Sequence, residues 1–325
     1  QRFISEDEKG FVIGLEVYLT YELIERVLSY GEDVVVLEPT ELREMRAKMA
    51  SIPDEHIVEI KSIKNISFNS KNKKINLRIY KDTFEAEITP LIIFFHGGGF
   101  VMGDLESHDL LCRHLCKQTK STLIAIDYRL APENKFPSAL EDALDSVKYI
   151  FNNSQNLSFD DKKVVLCGDS AGGNLAFLMS IYAKKKEIPS FSGQILIYPW
   201  IDLTMSRPSM KIKLNGILVE KETLLYFSNH YLNKKEEQVD WRVSPILYPD
   251  LSNLPPTYIY AAGIDPLLDE GDALRRRLLS FGNEVYYKLY PGQMHAFASN
   301  ILNLPTSLDC IKEASKAIKT IFNET

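Results

Sequence analysis

From about residue 57 onward, short apolar runs alternate with longer segments whose apolar residues recur at helical spacing. This alternation constrains the fold, because strands that are joined through helices pair in parallel by right-handed crossovers. Such a sheet is covered by helices on both faces, so the pattern predicts an α/β protein. The candidate strands are Ile57–Ile63, Ile66–Ser70, Ile75–Tyr80, Leu91–Phe95, Thr122–Asp127, Lys163–Cys167, Gln194–Tyr198, Thr257–Ala262 and Glu284–Tyr290.

The candidate helices lie between the later strands and after the last one. The earliest strands follow one another without helices, so we expect the sheet to open with an antiparallel edge. The candidate helices are His108–Thr119, Pro137–Asn152, Gly173–Lys185, Gly271–Ser280 and Ser307–Phe322.

Two segments interrupt the alternation and are predicted to form a cap over the sheet. Residues 1–50 have helix-like patterns, and residues 203–240 separate two strands and include an amphipathic segment, Lys221–Leu232. An insertion of this size is more often a functional lid than a structureless loop. We therefore predict an N-terminal helical cap segment, a second cap segment at 203–240, and a core made of 51–202 and 241–325. An ordinary helical decoration of the core is the alternative.

The charge balance argues against a nucleic-acid partner. The 325 residues include 38 Lys and Arg against 44 Asp and Glu, a net charge of −6, whereas binding to a phosphate backbone needs excess positive charge. Apolar runs such as Leu91–Phe95 are far shorter than the ~20 residues that cross a bilayer. We expect no membrane span and a cytoplasmic location, although the first residue, Gln1, leaves a removed targeting segment open.

The cysteines show no metal-binding pattern. They form no CxxC pair and have no ligand spacing with histidine, so we expect reduced structural thiols and no metal site. The four are Cys112, Cys116, Cys167 and Cys310.

The residues Gly168-Asp169-Ser170-Ala171-Gly172 form a G-x-S-x-G pattern between a candidate strand and a candidate helix. A tight strand-to-helix turn needs small neighbours and lifts the serine hydroxyl above the sheet edge, at the positive end of a helix dipole. The pattern predicts that Ser170 is a nucleophile. A Gly-rich turn in which Ser170 only caps the helix is the alternative.

A serine nucleophile needs a base and an acid that orients the base. His295 directly follows the last candidate strand and is the predicted base, and Asp265 follows the preceding strand and is the predicted acid. Asp269 and Asp272 are rival acids, but they fall inside the next helix. Asp265 could instead cap that helix. The chain order of Ser170, Asp265 and His295 is the Ser…Asp…His order of α/β hydrolases.

A second glycine-rich loop, HGGGF (96–100), follows the candidate strand Leu91–Phe95. Consecutive glycines let backbone N–H groups turn inward, and this motif type builds oxyanion holes in lipases and esterases. We predict Gly98, Gly99 and Ala171 as oxyanion donors, with Gly97 as a further donor. A phosphate-binding loop is the competing interpretation, but no Lys-Ser/Thr follows.

With these motifs the chain resembles the hormone-sensitive-lipase-like family of bacterial esterases over residues 90–300. The matching segments are HGGGF followed by VMGDLESHD, DYRLAPENKFPSALED (127–142), GDSAGGN (168–174), DPLLDEG (265–271) and YPGQMHAF (290–297). The resemblance implies an α/β-hydrolase fold with a mostly parallel eight-stranded sheet, helices on both faces and a helical cap. It implies catalysis by Ser170, Asp265 and His295 without a cofactor, with His96 and Asp169 as structural support.

The sequence thus predicts a serine carboxylester hydrolase that cleaves short- to medium-chain acyl esters through an acyl-enzyme. A non-catalytic ligand-binding receptor on the same scaffold is one alternative, and an amidase or acyltransferase with the same residues is another. The expected partner is a small ester, and a homodimer is left open. The predicted pocket residues, which could equally form core beneath the cap, are Phe100, Trp200, Leu224 and Phe227.

Overall fold

The computed structural model describes residues 2–7, 10–14, 56–71, 73–212 and 219–324. Its strands are β1 (Arg2–Asp7), β2 (Gly10–Gly14), β3 (Ser62–Ser70), β4 (Lys73–Lys81), β5 (Thr89–Phe95), β6 (Thr122–Asp127), β7 (Phe159–Asp169), β8 (Gly193–Ile197), β9 (Thr257–Ile264) and β10 (Val285–Met294). Its helices are α1 (Asp109–Thr119), α2 (Ser138–Asn152), α3 (Ala171–Lys184), α4 (Lys221–Tyr231), α5 (Leu268–Ser280) and α6 (Pro305–Glu324).

Eight strands form one sheet in the order β10-β9-β8-β7-β5-β6-β4-β3. The pairs β3–β4 and β4–β6 are antiparallel, and every other pair is parallel. The predicted mostly parallel, eight-stranded sheet with an antiparallel edge is therefore confirmed. Because β5, β7, β9 and β10 all run in the same direction, the residues that follow them lie at one edge of the sheet.

The central strands are apolar throughout because helices cover both faces. In β5, Leu91, Ile93 and Phe95 face one buried cluster, whereas Ile92 and Phe94 face a second, and all five side chains are fully buried. Apolar residues of α2, α3 and α5 complete the first cluster, and residues of α1 and α6 complete the second. Apolar residues of α4, which belongs to the insertion, also pack into the first cluster.

The prediction of a helical N-terminal segment is wrong for residues 2–14. These residues form β1 and β2, an antiparallel pair that is separate from the large sheet. Both strands are short, and the segment that separates them in the sequence is only two residues long, a length that can join antiparallel strands. The rest of the predicted segment, residues 15–50, lies outside the described residues, as do residues 213–218 of the insertion.

The first two candidate strands are also corrected. Residues 57–60 are irregular, and a single strand, β3, runs from Ser62 to Ser70 in register with β4. The polar pair Lys64 and Asn65 suggested a break, but both side chains are exposed on an edge strand, where polar residues are tolerated.

Candidate active site

Ser170 occupies a strained turn between β7 and α3. Its φ of 53° and ψ of −119° are sparsely populated by residues with a side chain. The turn is tight because Gly168 and Gly172 leave no room for a Cβ: one at Gly168 would meet the carbonyl of Gly172, and one at Gly172 would meet the carbonyl oxygen of Phe95. The strand-to-helix turn that the motif predicted is present, and it carries the Ser170 hydroxyl beyond the end of the sheet.

Ser170, His295 and Asp265 form one hydrogen-bonded chain. Nε2 of His295 lies 2.9 Å from Oγ of Ser170, and Nδ1 of His295 lies 2.7 Å from Oδ2 of Asp265. Side-chain burial is high, since Ser170, His295 and Asp265 are 7%, 6% and 1% exposed. The hydroxyl of Ser170 makes no capping bond to α3, in contrast to the capping alternative. A neutral imidazole that is held by the carboxylate at Nδ1 presents Nε2 as a proton acceptor.

Asp265 makes both of the contacts that its sequence position allowed. Its Oδ1 accepts the backbone N–H of Leu267 at 2.8 Å, which shapes the turn into α5, while its Oδ2 faces His295. The rival acids are engaged elsewhere. Asp269 accepts the backbone N–H of Ser209, and Asp272 pairs with arginines on the surface of α5. Of the three candidate acids, only Asp265 contacts His295.

The glycine-rich loop after β5 differs in one respect from the prediction. The backbone N–H of Gly97 donates to Oδ1 of Asp169 at 2.8 Å, so this amide is not available as an oxyanion donor. By contrast, no acceptor among the described residues lies against the amides of Gly98, Gly99 or Ala171. These three amides remain as donors for an anion.

The carboxylate of Asp169 joins this loop to α1. Besides the amide of Gly97, its Oδ1 lies 3.1 Å from Nε2 of His108, and both side chains are buried. The ring of His96 stacks on Tyr128 at a centroid distance of 4.3 Å, and the Tyr128 hydroxyl donates to the carbonyl of His96. The predicted support residues, His96 and Asp169, thus hold the loop through contacts on both of its sides.

The four predicted pocket residues are all buried in the first cluster. Phe227 of α4 lies directly against Gly99, since a Cβ at Gly99 would meet the Phe227 ring. Phe100 stacks on Tyr231 at 4.1 Å and lies 6.1 Å from Trp200. The Phe227 ring therefore packs against Gly99, whereas the Phe100 side chain packs against Trp200 and against Tyr231 of α4.

Several residues that support the site were not singled out from the sequence. Tyr198 packs its ring against His295 at a centroid distance of 4.7 Å, and His108 contacts Asp169. Tyr198 sat within an apolar strand pattern, which carries no signal of such a role. His108 stood next to the glycine loop in the matching segment VMGDLESHD, and this proximity is the one signal that could have identified it.

One buried acid lies close behind the site. Glu270 in α5 is fully buried, and its Oε2 accepts the backbone N–H groups of Ile201 and Asp202 at 2.8 and 2.9 Å. Burial raises the pKa of the Glu270 carboxyl well above its usual value, and the nearby carboxylate of Asp202 raises it further, while the two amides act in the opposite direction. Its other oxygen, Oε1, has no hydrogen-bond partner among the described residues.

The predicted cysteines are free and buried, and burial raises the pKa of the Cys112 and Cys167 thiols. In the part of the chain that the structure describes, no group of three or more His, Cys, Asp or Glu side chains is arranged to hold a metal ion. None of the described helices combines the length and apolar character that crossing a membrane requires.

A serine presented on a strand-to-helix turn to a histidine and an aspartate, all at the carboxyl edge of a parallel sheet, is the arrangement that α/β hydrolases share. Residues 92–299 match the family model described as the alpha/beta hydrolase fold, and the chain belongs to that family. The fold and the family resemblance drawn from the sequence are thus confirmed. Residues 1–51 match a different model, described as the WCX domain, and the predicted role of this segment as a cap remains a prediction.

The chain is similar to several proteins that are named as ester hydrolases. It is 32% identical to an ethyl acetate hydrolase of Pseudomonas putida over 87% of this chain and 90% of that protein, and 34% identical to the carboxylic ester hydrolase LipN of Mycobacterium tuberculosis over 83% and 72%. Among solved structures, an esterase of Pyrobaculum calidifontis superposes with a TM-score of 0.83 at 31% identity, over 92% of this chain and 98% of the other. These names agree with the enzyme class predicted from the sequence.

Proposed function

We propose that this protein is a serine carboxylester hydrolase that cleaves short- to medium-chain acyl esters through an acyl-enzyme intermediate. The observation that carries the proposal is the continuous hydrogen-bonded chain from Oγ of Ser170 through the imidazole of His295 to Oδ2 of Asp265. A serine hydroxyl becomes a competent nucleophile only when a base in this position accepts its proton.

In the proposed first half-reaction, Oγ of Ser170 attacks the carbonyl carbon of the ester while Nε2 of His295 takes the hydroxyl proton. Asp265 holds the imidazole and stabilises its protonated form. The oxyanion that develops is bound by the backbone N–H groups of Gly98, Gly99 and Ala171, and one such donor is worth about 3 kcal/mol in the transition state. The imidazolium then protonates the leaving alcohol, which departs and leaves the acylated serine.

In the second half-reaction, water attacks the acyl carbonyl and His295 accepts a proton from it. The same three amides bind the second oxyanion, and the protonated His295 returns its proton to Oγ of Ser170 as the carboxylic acid leaves. The two halves use the same groups in reverse order, so the chain's own residues can complete the cycle.

The preference for small acyl groups is supported by two observations. Phe227 packs against Gly99 beside the proposed oxyanion donors, which leaves limited room for an acyl group there. One of the similar proteins is named as a hydrolase of ethyl acetate, an ester with a two-carbon acyl group. We therefore expect p-nitrophenyl acetate and butyrate to be better substrates than the decanoate.

The proposal is tested by Ser170→Ala, with Ser192→Ala as the matched control. Ser192 precedes β8 at the opposite edge of the sheet, and its hydroxyl donates to the carbonyl of Lys162. We expect Ser170→Ala to lose hydrolysis of p-nitrophenyl butyrate and labelling by a fluorophosphonate, whereas Ser192→Ala keeps both. Both variants should retain the circular-dichroism spectrum.

Two results would change the proposed function. A wild-type protein that is not labelled and does not hydrolyse esters would favour the ligand-binding receptor. Hydrolysis of p-nitroanilides at rates that match those of the esters would favour an amidase instead.

A further inference from the structure

The insertion reaches back to the loop that carries Asp265. Ser209 lies in a 3₁₀ turn of the insertion, Pro208–Lys211, and is 6% exposed. Its hydroxyl donates to the carbonyl of Pro266 at 2.5 Å, and this proline is the residue that follows Asp265. A side chain of the insertion is therefore bonded one peptide unit away from the acid of the site.

The same serine is held in place by α5. Its backbone N–H donates to Oδ2 of Asp269 at 2.7 Å, and its Oγ accepts the backbone N–H of Asp269 at 3.2 Å. Asp269 was a rival for the catalytic acid because it belongs to the segment DPLLDEG. In the structure Asp269 instead holds Ser209 next to the first turn of α5 through these two hydrogen bonds.

A second contact joins the segment that leads into the insertion to the same helix. Glu270 accepts the amides of Ile201 and Asp202, and the residue before them, Trp200, donates its amide to the carbonyl of Ser170 at 3.0 Å. The segment that leads into the insertion thus contacts both the serine turn and the first turn of α5.

The loop that carries Asp265 has little internal support. Its hydrogen bonds within the loop are those from the Leu267 amide to Oδ1 of Asp265 and from the Leu268 amide to the carbonyl of Asp265. The carbonyl of Pro266 points to Ser209. The Pro266 carbonyl and the Leu267 N–H belong to one peptide unit, so a rotation of this unit moves the N–H that binds Oδ1 of Asp265. Because Oδ1 and Oδ2 belong to one rigid carboxylate, Oδ2 then moves relative to His295.

We propose that Ser209 is a positioning residue that fixes the Pro266 peptide, so that the carboxylate of Asp265 stays aligned with Nδ1 of His295. This inference rests on the proposed function for its effect on the rate. It makes the orientation of Asp265 depend on where the insertion sits, and it assigns a role to a serine outside every motif of the sequence.

The test is Ser209→Ala, which removes the hydroxyl without adding volume. We expect kcat for p-nitrophenyl acetate to fall about tenfold, the scale of one lost hydrogen bond, while KM changes less than twofold. The low-field proton NMR signal of the His295 Nδ1–H should shift or broaden, because its bond to Asp265 is loosened.

Ser209→Cys is a second variant that is slightly larger and has a weaker donor, and we expect a kcat between those of the wild type and Ser209→Ala. It carries the test if the alanine variant does not fold by circular dichroism. The matched control is Ser206→Ala, an exposed serine of the same insertion whose hydroxyl pairs with Thr204. This control should keep the wild-type kcat and NMR signal.

The inference is overturned if the folded Ser209 variants keep the wild-type kcat and NMR signal, or if Ser206→Ala lowers kcat as much as Ser209→Ala does. Absence of ester hydrolysis in the wild type would instead refute the proposed function. The NMR signal of His295 would then still report whether Ser209 aligns Asp265.

Discussion

The turn around Ser170 and the loop around Asp265 are held in different ways. Close packing shapes the first, because Gly168 and Gly172 lie directly against backbone atoms on either side of Ser170, whose φ is positive. Long-range hydrogen bonds support the second, since Ser209 of the insertion bonds the carbonyl of Pro266. A substitution in the first region should therefore cause a large, local loss of stability. Substitutions around the second region should lower activity by smaller steps, and these should depend on the contacts of the insertion.

The largest effect tests the end of the hydrogen-bonded chain. We expect Asp265→Asn to lower kcat about 10⁴-fold, because an amide stabilises neither the correct imidazole tautomer nor the imidazolium. The matched control is Asp272→Asn, whose carboxylate pairs with Arg275 and Arg276 on the surface. Steady-state kinetics on p-nitrophenyl acetate measure both, and a similar loss in the two variants would contradict the assignment of Asp265.

The next effect tests the steric character of the Ser170 turn. Gly172→Ala puts a Cβ against the carbonyl oxygen of Phe95 in backbone that cannot move, so we expect a loss of about 3 kcal/mol in the free energy of unfolding. Gly271→Ala is the control. Gly271 lies inside α5, and a Cβ there would be 3.6 Å or more from the nearest atoms of the neighbouring strands. This control should gain about 0.5–1 kcal/mol in urea denaturation. Equal stability of the two variants would remove the steric explanation.

A smaller effect tests the support that α5 gives to the segment after the insertion. The Arg277 guanidinium donates to the carbonyls of Ile246 and Tyr248, so Arg277→Ala leaves two carbonyls without their donor. We expect a loss of about 2 kcal/mol in the free energy of unfolding. Arg276→Ala, which removes an exposed partner of Asp272, should leave stability unchanged. If the two variants are equally stable, α5 does not hold this segment.

The smallest effect concerns pH. The ordinary pKa of a glutamate carboxyl is 4.5, so the unfolded chain releases the Glu270 proton above this pH. Because the pKa of Glu270 is raised in the folded protein, the folded protein binds this proton more tightly. The stability of the wild type should therefore fall as pH rises above that value, whereas Glu270→Gln does not titrate. We expect the free energy of unfolding of the variant to rise relative to that of the wild type as pH increases from 5 to 8, as measured by urea denaturation. If the free energies of unfolding of the two proteins change with pH in parallel, Glu270 is ionised in both the folded and the unfolded state.

The parts of the site that the sequence predicted are those whose signal is local. Ser170, His295 and Asp265 each directly follow a strand of one parallel sheet, so the apolar runs alone place them at a common edge. The amide of Gly97 was assigned wrongly, because its acceptor, Asp169, is brought next to it only by strand pairing.

The contacts of the insertion could not be predicted either, because they too join residues that only the folded structure brings together. Ser209 is separated from Pro266 by 57 positions, and a serine in a polar segment has no pattern that identifies its partner. The N-terminal hairpin was missed because its two strands were too short to show a period against the helical spacing that follows them.

Asp169 contacts two other parts of the site through one carboxylate oxygen. Its Oδ1 accepts the Gly97 amide and lies next to Nε2 of His108. The three positions therefore form one contiguous group in space. A lineage that replaced the aspartate would leave the Gly97 amide without its acceptor and would remove the carboxylate beside the buried His108 ring, so we expect changes at 169 and 108 to arise together across relatives. An alignment could test this coupling without any enzyme assay.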